Sequence, residues 1–237
     1  MLQAKYDVLG TAFHDYYFNG NSKGIIDVYC SASGYEKLPV KHFFRKYEQM
    51  PLIEQKGLSL CKGKILDTGA GAGCHSSYLQ NKEFEVCSLE ISGKACEILK
   101  SKGLNDIINT DFYKLKDRKF DTLLMLMNGA GISTKLDNLD VFFTKCRELL
   151  NDDGIIILDS SDLIYLFEDD ETEMDWNKKY YGEVTYQLTY KNIKGKPFDW
   201  LFVDFNTLYR FASRNGFSCT KIIEDDHFGY LALLEIN

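Results

Sequence analysis

Three glycines at alternate positions, Gly69, Gly71 and Gly73, follow an apolar run in the stretch ILDTGAGAGCHSSYLQ. A glycine inside a helix loses about 0.5–1 kcal/mol relative to alanine, so this spacing does not serve regular structure. A glycine-rich turn between a strand and a helix instead lets backbone N–H groups and the helix N-terminus approach a ligand closely. The stretch therefore predicts a ligand-binding loop.

A carboxylate two residues before the first of these glycines restricts the choice of ligand. Asp67 would repel the phosphates of a dinucleotide and would suit a positively charged amine. Dinucleotide-binding loops also have the spacing G-x-G-x-x-G, and Cys74 stands where the third of those glycines would fall. The loop therefore indicates a ligand other than a dinucleotide.

Two further acids follow the next apolar runs of the chain. Glu90 ends the run EVCSLE, 17 residues after Gly73, and Asp111 follows the run LNDIINT. Each acid alone fits a capped turn, a helix start or an ordinary loop equally well. The carboxyl ends of parallel strands, however, line the ligand-binding crevice of an open α/β sheet. Three acids at the ends of successive strands therefore predict one shared site.

The stretch DTGAGAG at residues 67–73 resembles motif I of the class I S-adenosylmethionine (SAM)-dependent methyltransferases, a D/E-x-G-x-G-x-G loop. The resemblance covers about residues 60–160 closely. It implies that Glu90 accepts two ribose hydroxyls, that Asp111 accepts from the adenine amino group, and that Phe112 contacts the ring edge. A vicinal diol offers two donors to one carboxylate, which suits the role implied for Glu90. The implied activity is methyl transfer, with S-adenosylhomocysteine (SAH) as the product.

The resemblance implies a cofactor site formed by the glycine loop and the ends of the strands. Its candidate residues are Asp67, Gly69, Ala70, Gly71, Gly73, His75, Glu90, Ile91, Asp111, Phe112, Asn128 and Gly129. His75, in the first turn after the glycines, either lies near the methionine end of the cofactor or packs in the core. Arg45, in HFFRKY, is a candidate partner for the cofactor carboxylate, because arginine pairs with carboxylates bidentately. A solvated helix arginine is the alternative.

Methyl transfer from a sulfonium is an in-line displacement, so the protein mainly aligns the acceptor, excludes water and removes a proton where needed. Asn128, in LMLMNGAGIS, matches the first position of the D/N-P-P-Y/F motif of families that methylate amino groups in DNA or protein glutamine. The prolines and the aromatic residue are absent, which removes the usual argument for a base or amide substrate. Asn128 is left as a contact to cofactor or acceptor, or as a turn residue. His14, in FHDYYFNG, is the other catalytic candidate, as a general base.

Aromatic side chains crowd the N-terminal segment and the segment after the fifth predicted strand. They include Tyr16, Tyr17, Tyr165, Trp176 and Tyr181. Such side chains wall an apolar pocket and exclude water, or they simply pack one segment against the other. The first interpretation predicts a small-molecule acceptor. The acidic run EDDETEMD at 168–175 is predicted as a solvated loop, with a lid for a cationic substrate as the alternative.

The elements that must position these residues begin after Lys64, where short apolar runs alternate with helical patterns. Five strands are predicted in KILDTG, FEVCSLEI, LNDIINTD, KFDTLLMLMN and GIIILDSS. Their alternation with helices indicates βαβ units and an α/β fold with a mostly parallel sheet. The resemblance adds a Rossmann-like, seven-stranded sheet with helices on both faces and an antiparallel final strand, for which FSCTKIIEDD and FGYLALLEI are the closing pair.

The two flanking segments carry other patterns. Residues 1–60 show no clear strand periodicity, and LPVKHFFRKYEQ and PLIEQKGLSLC read as two helices separated at Pro51, which predicts an N-terminal helical cap. EVTYQLTY and DWLFVDF flank KNIKGKP and predict a β-hairpin within an insertion at about 161–204. We therefore expect a cap or lid at 1–60 and a methyltransferase domain at 61–237, in one compact unit.

Net charge and composition limit the classes of partner that the protein is expected to bind. A net charge of −7 over 237 residues argues against a nucleic-acid partner, which needs a basic face. Neither an 18-residue apolar run nor a basic-then-apolar start is present, so we expect no membrane span and no signal peptide. The seven scattered cysteines lack zinc-site spacing and predict reduced thiols, no bound metal and a cytoplasmic location.

Three alternative functions are weighed against methyl transfer. Aminopropyl transferases carry acids near the fourth strand, and MNGAGIS has none. A catalytically silent SAM-binding module would tolerate the loss of Glu90 or Asp111, yet both acids are present. An NAD(P)-dependent dehydrogenase is opposed by the glycine spacing and by Asp67.

Overall fold

The computed structural model of the protein describes residues 6–167 and 179–237. The α-helices in these ranges are α1 Val8–Tyr17, α2 Leu52–Leu60, α3 Cys74–Asn81, α4 Gly93–Ser101, α5 Leu139–Leu149 and α6 Phe205–Arg214. The strands are β1 Ile25–Cys30, β2 Gly34–Pro39, β3 Lys64–Thr68, β4 Glu85–Leu89, β5 Asp106–Ile108, β6 Phe120–Met125, β7 Leu150–Ser161, β8 Glu183–Tyr190, β9 Ile193–Lys194, β10 Phe198–Leu201, β11 Phe217–Glu224 and β12 Gly229–Ile236. The acidic run at 168–175 and Trp176 lie outside the described residues. No helix within them has both the length and the apolar character that crossing a membrane requires.

The alternating strands and helices after Lys64 form one seven-stranded sheet in the order β11-β12-β7-β6-β3-β4-β5. Neighbouring strands among β3 to β7 pair in parallel, whereas β12 is antiparallel to both of its neighbours. The predicted fold, a mostly parallel seven-stranded sheet with an antiparallel final strand, is therefore confirmed.

Apolar side chains fill both faces of this sheet. Successive residues of a strand point to opposite faces, and Leu123 of β6 packs in a cluster that includes Phe142 of α5 and Leu208 of α6. Its neighbour Leu124 packs in a second cluster that includes Leu58 of α2 and Leu79 of α3. The central strands are apolar at consecutive positions because helices cover both faces, as they do in parallel sheets generally.

A second, antiparallel sheet has the order β10-β8-β1-β2, with β9 paired to β8. The predicted hairpin is present, because β8 and β10 pair antiparallel. The expectation that residues 1–60 form a helical cap is wrong for β1 and β2, which lie within that segment. β1 and β2 form a local hairpin that ends at the pair Cys30 and Gly34, and Asp27 of β1 also pairs with Thr189 of β8, a partner that is distant in the sequence.

The stretch LPVKHFFRKYEQ also departs from the helix predicted for it. It contains two short 3₁₀ helices, Val40–Phe44 and Tyr47–Gln49, whereas α2 begins after Pro51 as predicted. Between the two 3₁₀ helices the backbone of Arg45 is extended, and its guanidinium turns inward to pair with Glu54 of α2. A tertiary contact of this kind overrides local helix propensity.

Candidate cofactor and acceptor sites

The glycine loop is open on one side and tightly packed on the other. The N–H groups of Gly69 and Ala70 both donate to the carbonyl of Leu89, at 2.9 Å each, and tie the loop to the end of β4. A Cβ added to Gly69 would meet nothing within 4 Å, so space for a ligand lies over this part of the loop. At Gly73, where φ is +81°, an added Cβ would lie 2.6 Å from Leu99 Cδ2, so only glycine lets α3 start this close to α4.

Asp67 lies beneath the loop. Its carboxylate is buried and accepts a hydrogen bond from Ser76 Oγ at 2.5 Å, and Ser88 Oγ donates to Ser76 Oγ at 2.8 Å. Burial raises the pKa of Asp67, while the charge of His75 and the Ser76 bond oppose that rise. In this arrangement Asp67 fixes the start of α3, and through it the shape of the loop.

Glu90 lies beside the loop with both carboxylate oxygens oriented. Oε2 accepts from the Gly71 N–H at 2.8 Å, and Oε1 accepts from the Ser92 N–H at 2.7 Å. Burial raises the pKa of Glu90, and these two N–H groups act against the rise. Each carboxylate oxygen keeps a further lone pair, so the group can still receive the two hydroxyls of a diol. The adjacent Ile91 exposes 38% of its surface.

Asp111 and Phe112 have different surroundings. Asp111 Oδ1 accepts from the Tyr113 N–H at 2.9 Å and caps a 3₁₀ helix at Phe112–Lys114. The ring of Phe112 is 3% exposed and packs against Phe142, with ring centroids 6.0 Å apart. The expected ring-edge contact with a ligand does not fit this side chain, because its ring belongs to the core beneath the sheet.

The loop after β6 is held by an acid that the sequence interpretation did not single out. Asp159 of β7 accepts from three successive N–H groups, those of Met127 at 3.1 Å, Asn128 at 2.6 Å and Gly129 at 3.3 Å. Met127 and Asn128 adopt left-handed conformations, with φ of +66° and +63°, which is strained for residues other than glycine. The only sequence signal was one acid inside the apolar run GIIILDSS.

Asn128 is itself engaged by the insertion. Its Nδ2 donates to the Leu201 carbonyl at 3.3 Å, and its Oδ1 accepts from Ser160 Oγ at 2.9 Å. Ser160 Oγ in turn accepts from the Val203 N–H at 3.0 Å. Asn128 therefore joins the end of β6 to the end of β10, the strand of the second sheet that lies next to it.

A cavity of about 150 Å³ opens at the carboxyl ends of β6 and β7, between them and the start of α2. It is lined by Pro51, Ile53, Glu54, Asn128, Asp159, Ser160, Ser161, Asp225 and Gly229. Burial raises the pKa of Asp159 to about 6, although the N–H groups of Asn128 and Gly129 oppose the rise. We call this cavity the strand-end pocket.

A buried ion cluster joins one wall of the strand-end pocket, Glu54, to the start of α3 beside the glycine loop. Glu54 pairs with the Arg45 guanidinium and lies 2.7 Å from His75 Nε2, and all three side chains are buried. Burial would lower the pKa of His75, but Cys74 and Glu54 raise it well above its usual value. Arg45 Nε is buried without a hydrogen-bond partner among the described residues. Sequence reasoning found Arg45 and His75 but missed Glu54, which joins them.

The remaining candidate residues for catalysis and acceptor binding lie in two regions, the N-terminal helix α1 and the insertion after β7. His14 of α1 packs in a tilted arrangement against Phe18, the residue after the helix, with ring centroids 4.7 Å apart. Tyr16 stacks on Phe44, and the Tyr17 hydroxyl lies 3.5 Å from Ser101 Oγ at the last turn of α4. That turn is the opposite end of α4 from Glu90.

The other two tyrosines lie in the insertion. Tyr165 stacks on Phe228, next to the β11–β12 turn that contributes Asp225 to the strand-end pocket. The Tyr181 hydroxyl donates to Asp162 Oδ1 at 2.7 Å. Both tyrosines therefore contact a residue close in sequence to the pocket lining, since Asp162 follows Ser161 and Phe228 precedes Gly229.

The strand order, the bare glycine loop and the oriented acid after β4 define the class I SAM-dependent methyltransferases. Residues 66–158 match the family model described as a methyltransferase domain. The solved structure of a SAM-dependent methyltransferase from Bacteroides fragilis, in complex with SAH, is 42% identical, with 100% of this chain and 97% of that chain covered and a TM-score of 0.92. The chain belongs to the SAM-dependent methyltransferases, and SAM is its cofactor.

Other solved structures share the fold alone. The CcbJ methyltransferase from Streptomyces caelestis is 13% identical over 79% of this chain and 97% of that chain, with a TM-score of 0.62. A SAM-dependent methyltransferase from Clostridium acetobutylicum is 15% identical over 78% and 89%, with a TM-score of 0.54. No curated protein sequence matches this chain.

The residues present fit SAM as a cofactor. Open space over Gly69 would accept the methionine part, and Glu90 keeps lone pairs for a diol. The exposed side chain of Ile91 follows Glu90 directly and offers an apolar face to a flat ring.

Proposed function

We propose that this methyltransferase transfers the methyl group of SAM to a small molecule whose amine nitrogen enters the strand-end pocket. When bound, SAM supplies a methyl group on a positively charged sulfur, which is already activated for displacement. The chain's own task is then to hold the cofactor and the acceptor in line, to keep water out, and to let the amine nitrogen release a proton to a base or to solvent as it gains the methyl group and SAH leaves.

The cofactor roles in this proposal follow the geometry of the loop. Glu90 takes the ribose hydroxyls, Ile91 covers one face of the adenine, and Asp111 accepts from the adenine amino group through its remaining oxygen. The methionine part lies over Gly69. Arg45 is the proposed partner of the cofactor carboxylate, because its Nε–H has no hydrogen-bond partner among the described residues.

The charge of the strand-end pocket carries the choice of an amine. Three carboxylates line it, Glu54, Asp159 and Asp225, and its lining contains no lysine, arginine or histidine among the residues that the structure describes. Arg45 and His75 pair with Glu54 and offset its negative charge, so Asp159 and Asp225 are the carboxylates left to interact with an acceptor. Such a pocket favours a group that carries N–H donors or positive charge and disfavours a carboxylate or phosphate.

The size and cover of the pocket support a small acceptor. Its volume of about 150 Å³ is below the roughly 300–1,000 Å³ of drug-sized ligand sites, so it fits the reactive end of a small molecule. The second sheet contacts the seven-stranded sheet beside the pocket, where Asn128 donates a hydrogen bond to the carbonyl of Leu201. The net charge of −7 further disfavours a nucleic-acid polymer.

The test is incubation of the protein with methyl-labelled SAM and four separate pools of small molecules: amines, alcohols and phenols, carboxylic acids, and thiols. Mass spectrometry of the products is expected to show label in the amine pool. Asp225→Asn is expected to raise the KM of the labelled amine severalfold, whereas Asp226→Asn, at the next position of the same exposed turn, leaves it unchanged. Label confined to carboxylic acids or thiols would contradict the proposed acceptor.

A further inference from the structure

Helix α1 forms a wall beside the glycine loop. Its Gly10 is in direct contact with the start of α4, since a Cβ added there would lie 2.1 Å from Ser92 Oγ. One turn later Phe13, which is buried, comes within 3.8 Å of where a Cβ on Gly71 would lie. The N-terminal helix therefore packs on the two segments that position Glu90.

Ser92 links this helix to the loop through two separate groups, its hydroxyl and its backbone N–H. Ser92 Oγ donates to Asp7 Oδ2 at 2.6 Å, and the Ser92 N–H donates to Glu90 Oε1 at 2.7 Å. Glu90 Oε2 then accepts from the Gly71 N–H at 2.8 Å. Asp7, Ser92 and Glu90 are all buried.

Asp7 has two tasks in this chain. It caps α1, because its Oδ1 accepts from the Gly10 N–H at 2.9 Å, and it uses its second oxygen on Ser92. Ser92 Oγ also accepts from the Ala95 N–H at 3.1 Å, so its single hydroxyl hydrogen is committed to Asp7. The Ser92 hydroxyl is thereby turned away from Glu90, and only the Ser92 backbone N–H points at that carboxylate.

We propose that Asp7 is a positioning residue for the cofactor. Through Ser92 it fixes the rotation of the Glu90 carboxylate, so that the lone pairs left free by the two N–H groups face the ribose. The N-terminal helix is then part of the cofactor site and not only a cover for the acceptor. This inference rests on the ribose role proposed for Glu90.

The other end of α1 provides a matched control. Asp15 accepts from the Tyr190 hydroxyl at 3.1 Å and pairs with Lys191, which anchors α1 to β8 of the second sheet. Both Asp7→Asn and Asp15→Asn remove a carboxylate from the same helix, but only the first disturbs the contact with Ser92.

The experiment is calorimetric titration of SAH, without any acceptor, into the wild type, Asp7→Asn, Asp15→Asn, Ser92→Ala and Glu90→Gln. Loss of one hydrogen bond to a charged group predicts about tenfold weaker SAH binding for Asp7→Asn and for Ser92→Ala. Asp15→Asn is expected to change it less than about twofold. Melting temperatures without ligand show whether each variant is folded. If Asp7→Asn does not fold, the comparison of Ser92→Ala with the wild type tests the inference instead.

The pH dependence of SAH binding separates positioning from a merely structural role. Ionised Glu90 binds the ribose, so affinity falls as pH drops through the Glu90 pKa, which burial and the Asp7 charge raise. Asp7→Asn should therefore move this loss of affinity to lower pH. The other groups near Glu90 do not reverse this expected shift toward lower pH. Asn109 and the loop N–H groups do not titrate, and the Cys96 thiol, with a pKa of about 11, stays protonated over the range in which Glu90 titrates.

Two results would overturn the inference about Asp7. One is equal weakening by Asp7→Asn and Asp15→Asn, and the other is an unchanged affinity and pH midpoint in Asp7→Asn. If Glu90→Gln itself binds SAH as tightly as the wild type, the ribose role proposed for Glu90 has failed instead. The acceptor pool experiment is independent of all these results.

Discussion

The cofactor side and the acceptor side of this molecule are each organised around one acid that accepts backbone N–H groups. Glu90 accepts two, from Gly71 and Ser92, and Asp159 accepts three, from the loop after β6. With two N–H partners Glu90 can still bind a diol, whereas Asp159 is largely used in holding a strained loop. In the proposed function the first acid therefore binds the ribose, and the second mainly shapes the pocket into which the acceptor reaches.

The two sides also differ in how they are assembled along the chain. The cofactor side uses residues 67–111, which are consecutive strands and loops of one parallel sheet. The acceptor side combines α2, the ends of β6, β7 and β10, and the β11–β12 turn. A local motif supplies most of the first side, to which Asp7 and Arg45 are proposed to contribute from the N-terminal segment, whereas the second side depends entirely on elements distant in the sequence.

Removing the cofactor-side acid should have the largest effect. Glu90→Ala deletes two charged hydrogen bonds of about 1.5–3 kcal/mol each, so SAH binding should weaken at least about 100-fold. Asp111→Ala deletes one and should weaken it about tenfold. Calorimetry measures both dissociation constants, and equal or reversed losses would show that the ribose and adenine contacts are wrongly assigned.

Removing the acceptor-side acid should instead affect stability and turnover. Asp159→Ala leaves three N–H groups without their acceptor while Met127 and Asn128 stay in left-handed conformations, which should destabilise the fold by at least about 1–3 kcal/mol. SAH affinity should change less than about threefold. Asp226→Ala, on an exposed turn, is the control for denaturant unfolding. A loss of SAH binding as large as that of Glu90→Ala would remove the distinction between the two sides.

The pH dependence of stability tests Asp159 through Asp159→Asn, a variant that keeps the size and shape of the side chain. Because the pKa of Asp159 is raised to about 6 in the folded state, the folded protein holds a proton that the unfolded chain, with a pKa of about 3.9, has released. The stability of the wild type relative to Asp159→Asn should therefore decline as pH rises from about 4 to about 6 and then level off. Melting temperatures across that range measure it, and a constant or rising difference would contradict the raised pKa.

The smallest effect is expected at a tyrosine outside both sides. Tyr17→Phe deletes an exposed hydroxyl that lies 3.5 Å from Ser101 Oγ, so stability should change by less than about 0.5 kcal/mol. SAH affinity and turnover of an identified acceptor should be normal. Reduced turnover with normal melting would place Tyr17 in the acceptor site after all.

Sequence alone predicted the parallel sheet, the glycine loop and the acid at Glu90, because each depends on residues near one another in the chain. It missed Asp159 and Glu54, whose partners come from other elements, and it missed β1, which pairs with β8 across most of the chain. At Phe112 the fold buries the ring, which its position after Asp111 does not reveal, so the ligand contact expected there stays a prediction.

A crystal structure of this protein with SAH would test the central claim most directly. The account predicts both ribose hydroxyls within about 2.6–3.2 Å of the Glu90 carboxylate oxygens. It also predicts that the sulfur faces the strand-end pocket, with Asp159 still bound to its three N–H groups. A ribose bound elsewhere, or a sulfur directed away from Asn128 and Asp159, would contradict the assignment of the two sides.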